Sequence, residues 1–194
     1  MNTIDFDLTA GSTAALLQAA PNASIRGEDR ERASTDRSGY LPPSPPDGVV
    51  FARSADDVVQ TLRLASRHRV PVVPRGAGTG LAAASASRAG EVVLDVSGMN
   101  EILRIDPVEQ LAVVQPGVLN AELNAAAAGY GLFYAPDPAS TAICSIGGNI
   151  ATNAGGMRCQ IWSDPGIGAV AAGHPRRRPR AAHRPGHHQG SHRV

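Results

Sequence analysis

The first apolar block, TAALLQAA at 13–20, gathers its aliphatic residues on one stripe of a short helix, with Ser12 or Thr13 as its cap. The pattern is then lost. Residues 26–47 (RGEDRERASTDRSGYLPPSPPD) are charged and then proline-rich, and read as an exposed connector. GVVFA at 48–52 is a short strand, and Ser54 followed by Asp56 and Asp57 is a helix start, with acids at the positive end of the dipole. Over DDVVQTLRLASRHR, Val58, Leu62 and Ala65 recur at helical spacing, and VPVVP at 70–74 returns to a β-branched run. Strand, helix and strand in that order form the unit of a parallel sheet with a crossover helix.

A Gly/Ala/Ser stretch, PRGAGTGLAAASASRAG, leads into EVVLDV at 91–96, a further strand. EILRIDP and EQLAVVQPG are two strands joined by a turn at Asp106–Pro107. VLNAELNAAAAGYG is a second helix, stopped by Gly129 and Gly131. YAPDPASTAICSIGGNIATNAGGM at 134–157 is a long Gly/Pro/Asn/Ser loop, and a loop of that length in a compact domain is more often functional than idle. The succession predicts an α+β domain.

Composition changes this picture little until the C-terminal end. Apolar residues are 42% of the 194 and aromatics 4%, so the core is aliphatic; every one of the 18 basic residues is arginine. Residues 1–159 hold 12 arginines against 16 acidic residues, whereas residues 160–194 hold 6 against Asp164 alone, together with five of the six histidines. Cys144 and Cys159 lack metal-ligand spacing and read as cytosolic thiols. The N-terminus has neither the basic start nor the apolar run of a signal peptide, and no stretch is long and apolar enough to span a membrane, so a cytoplasmic location is expected.

The candidate chemistry lies in two glycine-rich loops. GAGTG at 76–80 follows a strand, but Leu81 stands where a dinucleotide fingerprint needs its third glycine, and no GK[ST] ending follows. Glycines at alternate positions let backbone N–H groups converge on an anion, and Thr79 adds a hydroxyl; on its own the loop is equally a tight turn. The second loop offers Gly147, Gly148, Asn149, Asn153 and Gly155, with amide side chains that both donate and accept. Two such loops without lysine point to a large ligand whose pyrophosphate is held by backbone amides.

VPVVPRGAGTGL, EVVLDVSGMNEILRIDP, VQPGV and PDPASTAICSIGGNIATNAGGMRC occur in this order. As a set they resemble the FAD-linked oxidases of the vanillyl-alcohol-oxidase type, which carry a PCMH-type FAD-binding domain. Within that family they are similar to the FAD subunit of bacterial glycolate oxidase and to D-lactate dehydrogenases. The likeness spans about residues 36–159. It implies a first β-α-β subdomain, at 48–97, and the start of a second, with FAD between them. It places Arg75, Gly76, Ala77, Gly78, Thr79 and Gly80 around the FAD pyrophosphate, and Pro116, Gly117 and Val118 near the cofactor. It places Pro136, Asp137, Ala139, Ser140, Gly147, Gly148, Asn149, Asn153 and Gly155 along pyrophosphate, ribityl chain and ring edge. The first loop has no histidine, so binding is expected to be noncovalent. The implied reaction is oxidation of a D-2-hydroxy acid with hydride transfer to flavin N5. The family's substrate, catalytic-base and metal-ligand residues have no counterpart here, and the electron acceptor is left open. Alternatives are a non-catalytic nucleotide-binding module and a basic-tailed nucleic-acid binder.

The expected organisation is an N-terminal helix and linker at 1–35, an incomplete FAD-binding domain at 36–159, and a disordered basic tail at 160–194. Where the family continues K-Y-G-V-T, this chain has Gln160-Ile161-Trp162. Dropping one base at codon 160 restores K/R-Y-G-V-T, and the Arg-rich run then reads as family-like sequence. A truncating frameshift near Cys159 is therefore expected, with poor solubility and weak FAD binding as its consequences. The tail's other readings are an arginine arm for nucleic acid, built on Arg176, Arg177, Arg178, Arg180 and Arg184, and a metal site from His183, His187, His188 and His192. Pro185 opposes a helix there, and no carboxylate or cysteine assists.

Overall fold

The structure, a computed structural model, describes residues 10–156. The expected reading-frame change and the arginine and histidine readings of the tail lie outside the described residues.

Two layers of helix enclose a four-stranded sheet. Helix α1 (Ala10–Ala19) leads to β1 (Ala23–Ser24), α2 (Gly27–Ser34), β2 (Gly48–Phe51), α3 (Ala55–His68), β3 (Val72–Arg75) and β4 (Val92–Asp95). The spatial order is β1-β2-β4-β3, with β4 parallel to both neighbours and β1 antiparallel at the edge. The expected strand–helix–strand unit is present, but β4 enters between its two strands. Register explains the layering. Val50, Val92 and Leu94 face α1 and α3 and join Leu16, Ala65 and Val70 in one core. Val49 and Val93 face the other way, onto Ala33 of α2 and Phe51. Each of these four sheet valines is fully buried, which contributes about 1.5–3 kcal/mol apiece.

The charged stretch after residue 26 is thus not simply a connector. Its first part is α2, whose Ala33 and Ser34 are buried; packing against the sheet overrides its polar composition. In α3 the buried positions are Thr61 and Ala65, while Leu62, expected to face inward, is 47% exposed. Thr61 fits the core because its hydroxyl donates to the Asp57 carbonyl at 2.7 Å. The Ser54 cap is as expected, its Oγ accepting from Asp57 N at 3.1 Å. Helix α3 ends on Arg69 in the left-handed region, φ 55°. Arg69→Gly relieves that strain and is expected to raise stability by about 1 kcal/mol in a urea melt.

Beyond the sheet, β5 (Ile102–Asp106) and β6 (Leu111–Val114) form an antiparallel hairpin. Asp106 Oδ1 accepts from Val108 N and Glu109 N, each at 3.1 Å, which fixes the expected turn. Helix α4 (Asn120–Ala128) follows, and a short α5 (Ile146–Ala151) lies inside the stretch read as loop. A second core of Val118, Leu123 and Ile146, joined by Ile102, Val114 and Tyr134, holds these pieces together.

Candidate functional site

Parallel strands present their carboxyl ends to ligands. Here β2, β4 and β3 end on Phe51, Asp95 and Arg75, and these line a cavity of about 250 Å³ with Gly76, Ala77 and Ser97. The chain leaves β3 directly into the first glycine loop. Among the described residues, no backbone N–H from Gly76 through Gly80 donates an internal hydrogen bond. That run of donors is the main polar resource of the site.

The second loop reaches the first through Ser145, which sequence reasoning missed. Its Oγ caps α5 by accepting from Gly148 N at 3.3 Å. A Cβ on Gly76 would lie 2.5 Å from that Oγ and 4.0 Å from Gly148 N, so Gly76 and the first turn of α5 are in close approach. A serine before Ile-Gly-Gly is a cap signal, but the glycine pair masks the helix it starts.

The Pro116–Gly117–Val118 turn is stitched to the same helix. Gly147 N donates to Pro116 O at 2.9 Å and Ile146 N to Val118 O at 2.8 Å, while Asn120 N donates to Cys144 O at 2.9 Å. The amides of Ile146, Gly147 and Gly148 are thus spent on protein acceptors, whereas those from Gly76 through Gly80 are not. Pro136 is held by Asn120 Nδ2 at 2.8 Å, and Ser140 O accepts from Ile143 N and Cys144 N. Asp137 N donates to Gly155 O at 2.9 Å. Asp137 lines a separate apolar groove of about 650 Å³ beside α4 rather than the cavity at Gly76. Ala139 and Asn153 are exposed, the latter at φ 49°.

Asn149 carries an unusual burden. It is 4% exposed, and its Nδ2 finds no acceptor. Burial pushes the Tyr134 phenol above its ordinary pKa, the nearby Cys144 adds to this, and the Asn149 amide opposes it, close by but outside hydrogen-bonding geometry. A buried amide without a partner costs about 1–3 kcal/mol and fits an acceptor supplied by a ligand.

The Arg75 guanidinium lies beneath the glycine loop, against Gly78, and bonds protein carbonyls. Its Nη1 donates to the carbonyls of Thr35 (2.8 Å), Ser85 (3.2 Å) and Ala33 (3.4 Å). Burial lowers its pKa, with Asp95 and Asp36 opposing. Asp36 accepts from Ser38 N at 2.9 Å and from Ser85. Burial would raise its pKa, but the bonds from Ser38 and Ser85 outweigh it and the carboxyl sits below its ordinary value. A depressed folded-state pKa stabilises above the unfolded value near 3.8 and is lost as pH falls below it. Asp36→Asn is therefore expected to melt earlier than wild type at pH 6, with the difference shrinking as pH falls below about 3.8.

A domain of α/β layers with a glycine loop at the carboxyl ends of its strands, braced by a second glycine turn, defines a nucleotide-cofactor module. The family described as FAD binding domain matches residues 46–165, and the chain belongs to it. Among curated relatives, it is 46% identical over 115 residues to glycolate oxidase subunit GlcD of Bacillus subtilis, covering 59% of this chain and 24% of that one. It is 44% identical over 113 residues to D-2-hydroxyglutarate dehydrogenase of Stutzerimonas stutzeri, covering 58% and 24%. It is 36% identical over 140 residues to D-lactate dehydrogenase of Anaerostipes hadrus, covering 72% and 29%. The chain thus spans about a quarter of the length of these relatives. Its fold matches an alkyldihydroxyacetonephosphate synthase at TM-score 0.70 and 22% identity, over 84% of this chain and 33% of that one. It matches p-cresol methylhydroxylase at 0.62 and 22%, over 74% and 30%. The expected PCMH-type α+β fold and the FAD-linked family are both confirmed. No helix among the described residues is long and apolar enough to cross a membrane.

Proposed function

We propose that this chain is the FAD-binding portion of a flavin-dependent oxidoreductase acting on a D-2-hydroxy acid of the glycolate, D-lactate or D-2-hydroxyglutarate type. The observation that carries this is the run of unspent N–H groups from Gly76 to Gly80. Oriented backbone amides bind phosphate oxygens without a formal positive charge, which suits a pyrophosphate. Gly76 and Gly147 leave no room for a Cβ against Ser145 and Pro116, so the two loops hold the tight spacing that a bridging ligand needs. Asn149 Nδ2 supplies a further buried donor. FAD, bound noncovalently, supplies the acceptor for the hydride leaving the substrate's hydroxyl-bearing carbon. The chain's part is to hold and orient that cofactor. The cytoplasm is the location this reading assigns.

Titration of FAD with the full chain tests it. Quenching of flavin fluorescence, reversed by ADP as a competitor for the pyrophosphate loop, is expected. Absence of quenching at millimolar protein would end the reading.

A further inference from the structure

Arg75 ends β3 and leads directly into the glycine loop, yet its guanidinium spends itself on protein. One nitrogen, Nη1, reaches three carbonyls, two from residues 33–35 and one from Ser85. The same two segments are joined independently. Ser87 N donates to Ser34 O at 3.0 Å, Ser87 Oγ to Ala33 O at 3.1 Å, and Arg37 N to Gly80 O at 3.0 Å. The carboxylate of Asp36 takes Ser38 N on one oxygen and Ser85 on the other. Gly78, at φ 65°, folds back so closely that a Cβ there would fall on the guanidinium, 2.7 Å from its Cζ. The glycine loop is therefore wrapped over a cation that is itself bolted to residues 33–37.

We infer that Arg75 and Asp36 are positioning residues that lock residues 33–38 to the 76–87 loop and so fix the direction of the Gly76–Gly80 amides. This rests on the FAD reading for its functional meaning and on the hydrogen bonds above for its geometry. Two consequences distinguish it from a phosphate-contacting arginine. The cofactor unit extends N-terminally past the start of the matched region at residue 46. And because a single nitrogen makes all three bonds, a lysine ammonium with its three donors partly replaces it, although a lysine does not replace an arginine that forks onto phosphate.

The test is hydrogen exchange on the full chain without flavin, followed by FAD titration. In Arg75→Met, amides from 80 to 87 and from 34 to 38 are expected to exchange at least about tenfold faster together. Strands β2 and β4 keep their protection. Arg75→Lys recovers part of the loss, and Asp36→Asn shows the same pattern more weakly. Val58→Ala, on the opposite face of the sheet, serves as a control that lowers stability without touching the loop. The FAD dissociation constant is expected to rise about tenfold in Arg75→Met and not in Val58→Ala. Unchanged loop exchange in Arg75→Met overturns the inference. So does faster exchange with an unchanged dissociation constant, or an Arg75→Lys variant no better than Arg75→Met. If Arg75→Met unfolds, Asp36→Asn carries the test: loop exchange equal to wild type then overturns it. Failure of wild type to bind FAD ends the FAD reading while leaving the exchange result to judge the clamp.

Discussion

Gly117→Ala is expected to lower the stability of the chain by about 3 kcal/mol. A Cβ at this position would lie 2.6 Å from both the Ser97 and Val96 carbonyl oxygens and 2.7 Å from that of Met99. All three are backbone atoms, so no side chain can swing aside. The Gly117 amide donates to Met99 O at 2.7 Å, which draws the two segments together. A shift large enough to admit a methyl breaks that bond at the junction between the four-stranded sheet and the second core. Since domains of this size are stable by about 5–15 kcal/mol, the loss is a large share of the total. Urea melts monitored by circular dichroism measure it, and a change below about 1 kcal/mol would contradict the packing described.

Gly147→Ala is expected to strike the cofactor rather than the fold. The added Cβ meets Pro116 Cβ at 2.7 Å and Pro116 O at 2.9 Å, and the Gly147 N–H bond to that carbonyl must lengthen. Two effects compete. Alanine is the better helix former by about 1 kcal/mol, which favours α5. The overlap costs about 1–3 kcal/mol. The net stability change is therefore modest, whereas the spacing between the two glycine loops opens. FAD affinity is expected to fall at least about tenfold, a loss of about 1.4 kcal/mol. Gly148→Ala provides the contrast, since its Cβ would approach only Ser145 Oγ, at 3.1 Å. Fluorescence quenching of FAD by the two variants and wild type measures the difference, and equal affinities in Gly147→Ala and wild type would refute the assignment.

Much of this was legible in the chain itself. The cap at Ser54, the turn at Asp106, the end of α4 at Gly129 and the succession of strands follow from local rules, and local rules suffice where neighbours in sequence make the contacts. Helix α2 was not legible, because Ala33 is held by Val49 and Val93, far away in the chain. Helix α5 was hidden by its two glycines, the first of which tertiary contact with Pro116 requires. The site divides the same way. The glycines that form the donor loop are conspicuous, but Ser145 acts on Gly76 only after the fold brings them together. The direction of the Arg75 side chain depends on carbonyls of residues 33, 35 and 85, which no spacing rule connects to a glycine loop.

One of the two interior strands of the sheet is also the last of the four to be made. β4 lies between β2 and β3, which do not pair with each other. Until residues 92–95 leave the ribosome, two valine-rich strands have no partner on their facing edges. The loop from Gly76 to Gly90 must stay slack enough for β4 to slide into the gap and then be fastened. Closure over such separations is slow, and the waiting intermediate exposes edges that other chains can join. The segment that carries the first glycine loop is thus also the connection that must let β4 reach its place between β2 and β3.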